Sequence, residues 1–146
     1  MKGFRDWGKV ERLRVLTLPA LLTACLSGGA LASQAVLKPL PLRAACQTAG
    51  YSALQDASGT LRVLRYVRLT PDNSARVTQY YAASGKLQSL KATASGFAGV
   101  LYNLSATVDT GGNLTGEKGY RSKLFSGDLK RVVRDAGAIR AGTCTP

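Results

Sequence analysis

Between Gly50 and Asn113 the chain is cut repeatedly by short clusters of turn-forming residues, and the runs between those clusters alternate apolar with polar. The clearest run is "VLYNLSATV", Val100 to Val108. Successive side chains of a strand point to opposite faces, so Val100, Tyr102, Leu104, Ala106 and Val108 share one face, and Leu101, Asn103, Ser105 and Thr107 the other. That is the pattern of an antiparallel strand with one side buried. The turn clusters are "DASG" (Asp56 to Gly59), "PDNS" (Pro71 to Ser74), "ASGK" (ending at Lys86) and "DTGGN" (Asp109 to Asn113). Turns recurring at roughly ten to fifteen residues between period-two runs predict a mostly β fold. The expected architecture is a small antiparallel β-meander, as a sheet, a sandwich or a barrel.

The other expected strands are "GYSALQ", "TLRVLRYVRLT" (Thr60 to Thr70), "ARVTQYYA", "LQSLKATA" and a weaker "LTGEKGYRSKLF" interrupted by Gly116 and Gly119. Gly96 and Gly99 flank Phe97 and suggest a bulge or bend. One stretch breaks the period. In "SGDLKRVVRDAG", Ser126 to Gly137, residues Leu129, Val132, Val133 and Ala136 fall at helical spacing. This predicts one short C-terminal helix, with Ser126 or Asp128 capping its start and Gly137 its end. "AIRAGTC" would follow as a last strand or tail. Residues 33–45, with Pro39 and Pro41 and no period, read as a linker or extended lead-in to a single β-rich domain over residues 46–146.

The N-terminus has another logic. Lys2, Arg5, Lys9, Arg12 and Arg14 precede the apolar run "VLTLPALLTACL", Val15 to Leu26, which is followed by Ser27, Gly28, Gly29 and Ala30-Leu31-Ala32. A basic start, a short apolar core and small residues at an A-x-A site make a secretory signal peptide over residues 1–32. The run is shorter than the roughly 20 apolar residues of a membrane-spanning helix. Two cuts fit. One falls after Ala32 or Ala35. The other falls before Cys25, because Leu22-Thr23-Ala24-Cys25 resembles the bacterial lipobox. That resemblance implies a diacylglycerol on Cys25 and attachment to a membrane, and it explains why a cysteine stands there.

Either cut leaves Cys46 and Cys144 as an even pair near the two ends of the domain. In an exported chain such a pair reads as a disulfide. The full chain carries +12, and removing residues 1–24 takes away five basic and two acidic groups, leaving about +9. So basic a domain attracts anionic partners.

The chain has no histidine. It therefore lacks the commonest general base and the commonest metal ligand, and histidine-assisted serine or cysteine nucleophiles are excluded. Nothing in the sequence calls for a cofactor or metal. The domain's carboxylates are Asp56, Asp72, Asp109, Glu117, Asp128 and Asp135, and most stand where an Asp caps a turn or a helix. The densest cationic motif is "RVLRYVR". On a strand it sets Arg62, Leu64, Tyr66 and Arg68 on one face, and Val63, Arg65, Val67 and Leu69 on the other. Arg62, Tyr66 and Arg68, with Lys130, Arg131 and Arg134 of the helix, are the expected anion-binding residues. Basic residues on a long strand also oppose edge-to-edge aggregation. Of Tyr80 and Tyr81, one ring is expected in the core and one outside. "NLS" at Asn103 and "NLT" at Asn113 match the glycosylation sequon but carry no weight in a lipobox-bearing chain.

The functional expectation is an exported bacterial cell-envelope protein, a lipoprotein in its preferred form and periplasmic or secreted otherwise. It is expected to be a non-enzymatic structural or binding module. The alternative is a basic binder of an anionic polymer: nucleic acid, wall polymer or lipid head groups. A carboxylate-dependent hydrolase ranks last. The expected partners are a membrane, through lipidated Cys25, and an anionic polymer or envelope protein; no small-molecule substrate is implied.

Overall fold

A computed structural model describes residues 36–144, which fall within one compact unit. The segment expected to be a signal peptide, with Cys25, lies outside the described residues. Seven strands follow one another: β1 (Lys38–Leu40), β2 (Tyr51–Gln55), β3 (Leu61–Leu69), β4 (Asn73–Tyr81), β5 (Leu87–Gly96), β6 (Gly99–Val108) and β7 (Leu114–Arg121). Helix α1 (Ala44–Thr48) stands between β1 and β2. After β7 come a 3₁₀ turn (Leu129–Val132) and helix α2 (Ala136–Ala141). The sheet runs in simple order from β1 to β7, every neighbour antiparallel, and β7 does not return to β1. Of the three architectures the period allowed, the chain adopts the open sheet. The stretch read as a linker or lead-in supplies β1 and the start of α1.

One face of the sheet carries the core. Leu64 and Tyr66 of β3, Val77 and Gln79 of β4, Leu90 and Ala92 of β5, and Tyr102 and Leu104 of β6 are buried there. The segment after β7 lies over them through Phe125, Leu129, Val132, Val133, Ala136 and Ile139, beside Cys46 of α1. Cys46 and Cys144 lie at disulfide distance, with Cα atoms 5.2 Å apart, which ties α1 to the end of the covering segment.

Gln79 shows how the cover is held. It is completely buried, yet its amide is satisfied: Nε2 donates to the Arg134 carbonyl at 2.9 Å, and Oε1 accepts from the Arg134 N–H at 2.7 Å. These bonds take both backbone groups of Arg134; the expected short C-terminal helix is present, but its span shifts from residues 126–137 to α2, preceded by the 3₁₀ turn. The expected apolar face, Leu129, Val132, Val133 and Ala136, does turn to the core. The backbone instead makes one 3₁₀ turn capped by Asp128, then runs extended at Val133 and Asp135. Asp135 starts α2 by accepting from Gly137, and Gly142, at φ 91°, ends it. Gly137 therefore lies in the first turn of α2, and "AIRA", Ala138 to Ala141, is helical rather than a strand or tail. Val132 and Val133 are weak helix formers, so a side chain offering both hydrogen bonds outcompetes the intrahelical ones.

Three further departures are local. Phe97 and Ala98 form the two-residue turn of the β5–β6 hairpin, so Gly96 and Gly99 mark a reversal of the chain. A bulge follows, because Ala94 pairs with Tyr102 and Ser95 with Val100, leaving Leu101 extra. Val100 is thereby turned off the core face and is 55% exposed. Gly119, at φ 122°, brings β7 against β6 so closely that a Cβ would collide with the Asn103 carbonyl.

Candidate functional site

On the opposite face the segment after β7 provides no cover, and from Arg65 to the end of β3 its side chains are exposed, although Val63 beside Tyr80 is buried. Register and alternation place its side chains in rows that cross the strands. One row runs Arg65 (β3), Thr78 (β4), Lys91 (β5), Ser105 (β6) and Lys118 (β7). Its three cations stand on alternate strands, about 9.5 Å apart, with hydroxyl side chains between them. The next row toward the β5–β6 turn runs Val67, Arg76, Thr93, Asn103 and Tyr120. Arg65, Arg76, Lys91 and Lys118 are all exposed. These two rows hold no carboxylate, and none of the four cations appears in a salt bridge with the described acidic residues. Unpaired, solvated and of one sign, they create a positive field over this face.

A shallow hollow of about 300 Å³ opens in this face, lined by Ser74, Arg76, Thr93, Ser95, Val100 and Asn103. The Ser74 and Ser95 hydroxyls lie 3.3 Å apart at its floor of polar side chains. Hydroxyls, an amide and a guanidinium facing one space suit an anionic oxygen group. Tyr80 lies half-buried on the same face, while Tyr81 is in the core, so the two rings divide as their alternation predicts.

The residues expected to bind anions do not form one site. Arg62 is engaged at the far end of β3, where Nη1 meets Asp56 at 3.3 Å and Nε donates to the Tyr81 carbonyl at 3.0 Å. Asp56 is held below its usual range, chiefly by the Ser58 hydroxyl; desolvation is the next effect and opposes it, and the Thr60 N–H, Arg62 and the Ser58 N–H add to the lowering. Tyr66 is buried, stacks on Tyr51 at 5.3 Å, and donates its hydroxyl to the Val132 carbonyl. Burial pushes its phenol up to about 12, offset in part by Arg134. The Arg134 guanidinium lies 5.3 Å from the Tyr66 ring centre, and its Nε is buried without a hydrogen-bond partner. The aromatic face supplies the compensating attraction. Lys130 and Arg131 are exposed on the covering segment, on the other side of the sheet from Arg65. Arg68 is exposed at the end of β3, where with Tyr66, Tyr51, Gly50 and Leu69 it borders a second hollow of about 260 Å³.

The cations that do line up were missed for an identifiable reason. Along the chain Arg65 stands in an otherwise apolar row, with Val63, Val67 and Leu69 on the same face. Both faces of β3 look apolar in the sequence, and only the cover decides which is core. Lys91 and Lys118 are isolated in sequence and become neighbours of Arg65 only through the register.

The described carboxylates have local duties. Asp56 and Asp109 close turns by accepting from Thr60 and Asn113, Asp128 and Asp135 cap helical turns, and Asp72 sits in the β3–β4 turn. Glu117 is gripped by Arg121 at 2.7 Å. Compared with known protein families, with curated proteins and with solved structures, the chain matches none.

Proposed function

We propose that this chain is an exported, lipid-anchored envelope protein whose domain is a non-enzymatic binding module, and that the uncovered sheet face receives an anionic polymer or surface. The observation carrying this reading is the row Arg65–Thr78–Lys91–Ser105–Lys118, which sets unpaired cations on alternate strands. A ladder of charge and hydroxyl groups running across five strands suits an extended anion rather than a small molecule, which favours deep concave pockets. The occupation of Asp56, Asp109, Asp128 and Asp135 by backbone N–H groups favours binding over hydrolysis. Export and the diacylglycerol on Cys25 rest on the leader and the lipobox resemblance. Intact-mass measurement of the processed protein tests them, since a chain beginning at unmodified Ser33 or Val36 would remove the anchor.

The test of the binding reading is titration with a single-stranded oligodeoxynucleotide used as a generic polyanion, over a range of salt. Binding should weaken steeply as salt rises, because counterions compete for the same phosphates. Replacing Arg65, Lys91 and Lys118 together by Ala should flatten the log–log salt slope by about two, given roughly 0.7 per phosphate contact on single strands. The same exchange at Arg62, Lys130 and Arg131 should leave most of the slope. An unchanged slope in the first variant, or no binding at low salt, would overturn the assignment of this face.

A further inference from the structure

Six of the seven large apolar side chains left exposed among the described residues gather in one region. Val67 (37% exposed), Leu69 (74%), Phe97 (102%), Val100 (55%), Tyr120 (55%) and Leu124 (76%) lie toward one end of the sheet, while Val36, before β1, stands apart. That end is where β3 meets β4, β5 meets β6, and β7 finishes. The Phe97 N–H donates to the Asp72 carbonyl at 3.3 Å, which holds the two turns together, and the Ser122 N–H donates to the Leu101 carbonyl at 2.8 Å, which brings the end of β7 beside them.

The uncovered face is therefore graded along the strands. Nearest the turns is the row Leu69, Ser74, Ser95, Val100, with Phe97 beyond it at the hairpin tip. Next comes the row with Val67, Arg76 and Tyr120, and then the row with Arg65, Lys91 and Lys118. Successive rows are two residues, or about 6.7 Å, apart. An apolar tip followed within roughly 7 to 13 Å by cations reproduces the profile of a leaflet, where the apolar part of a bound element sits about 5–10 Å into the headgroup boundary. Tyr120 stands at the level where an amphipathic ring prefers to lie. The polar hollow around Arg76 falls between the two zones, where lipid phosphates would meet it. In this face and its two turns the only carboxylate is Asp72, with Arg68 and Arg76 on the strands that enter and leave its turn.

We propose that the β3–β4 and β5–β6 turns insert into the headgroup region of an anionic bilayer, with Phe97 and Leu69 as apolar anchors and Arg76, Arg65, Lys91 and Lys118 at the phosphates. This rests on the reading of the uncovered face as an anion-binding surface and names its partner. A soluble polyanion accounts for the cation row but leaves the apolar end without a role. A leaflet accounts for both.

The test uses the full chain with its native tryptophan removed (Trp7→Phe) and a local reporter placed by Phe97→Trp or, at the opposite end of the sheet, Thr110→Trp. Each is mixed with vesicles of phosphatidylcholine alone or equimolar with phosphatidylglycerol, and acrylamide quenching and emission wavelength are read. Shielding of the reporter, and not attachment to the vesicle, is what scores. With phosphatidylglycerol present, the reporter at position 97 should shift to the blue and become severalfold less accessible, while that at position 110 stays accessible. Adding Leu69→Ser should abolish the shielding without altering oligonucleotide binding. Each cation removed from Arg65, Lys91 and Lys118 should raise the anionic lipid needed by about fivefold. Phe97 and Leu69 are exposed, so these exchanges leave the core intact. A reporter at position 97 that stays accessible while the oligonucleotide still binds overturns the insertion and leaves the anion-binding face, with nucleic acid as its partner. Loss of both overturns both. Shielding without lipid that rises with protein concentration assigns the apolar end to a second copy and also overturns it.

Discussion

The two faces of this sheet are drawn from the same strands and differ in what they were given to meet. On the covered face, Ala92, Ala94 and Ala106 keep the centre low, so the segment after β7 can lie close, and Gln79 pins it through the backbone of Arg134. Every large side chain there finds a partner: Tyr51 on Tyr66, Tyr102 on Phe125 at 4.3 Å, and Arg121 over Phe125 at 5.0 Å. On the uncovered face the middle rows are hydroxyls, amides and unpaired cations, lying between an exposed apolar end at the turns and the buried Val63 beside Tyr80 toward the other end of β3. A meander with only one cover must keep its other side solvated, and charge on that side also discourages stacking of sheet upon sheet. What the open face carries beyond that requirement is its order: cations in register on alternate strands.

This contrast can be broken most forcefully at the sulfur pair. Replacing Cys46 and Cys144 by Ser should lower stability by about 2–5 kcal/mol, since the link closes a loop spanning nearly the whole domain. Urea unfolding monitored by tyrosine fluorescence reads this. A loss below about 1 kcal/mol would mean that the cover does not depend on the link. Gln79→Leu comes next. It keeps the volume but strands the Arg134 N–H and carbonyl in the core, and should cost about 2–3 kcal/mol with the 3₁₀ turn and α2 losing amide protection first. If exchange accelerates uniformly over the sheet instead, Gln79 is not what fixes the cover.

A gentler probe is pH. Burial raises the phenols of Tyr66 and Tyr81 to about 12 from 10. Both are neutral in either state below 10, so their contribution is fully present there. Above 10 the unfolded chain ionises first, and stability should fall steadily until about 12. Phenolate absorbance and unfolding measured together should show a late, cooperative rise. Asp56 acts in the other direction. Its folded value is depressed, so its contribution is present above the ordinary carboxylate range and is lost as pH falls through the folded value.

The smallest effect on stability belongs to the open face. Arg65→Ala, Lys91→Ala and Lys118→Ala should each change it by no more than about 0.5 kcal/mol, while together they weaken polyanion binding. With no histidine in the chain, that binding should be flat between about pH 5 and 8. A titration step in that range would point to some other group on the surface.

Much of the fold was legible because strand periodicity and turn chemistry are local. The strands from Tyr51 to Val108 fall close to the runs that alternate, and Pro71, Gly85 and Gly112 sit in turns that only certain backbones allow. The pairing of Cys46 with Cys144 was legible as arithmetic. The helix boundaries were not, because Gln79 lies 55 residues from Arg134 and its hydrogen bonds decide the local backbone. Nor was the candidate site. "RVLRYVR" concentrates charge in sequence, but Arg62 is spent on Asp56 and Tyr66 on the core.

Sequence by itself determined that the chain would be a meander of antiparallel strands, basic, without histidine, with its ends drawn together by two cysteines. Those properties reside in composition and in contacts between near neighbours. Tertiary structure alone decided that the sheet stays open, which face of β3 is core, and that Arg65, Lys91 and Lys118 form a row. The physical reason is that side-chain alternation marks two faces on every strand but cannot say which one a distant segment will cover, and register joins residues that have nothing in common along the chain.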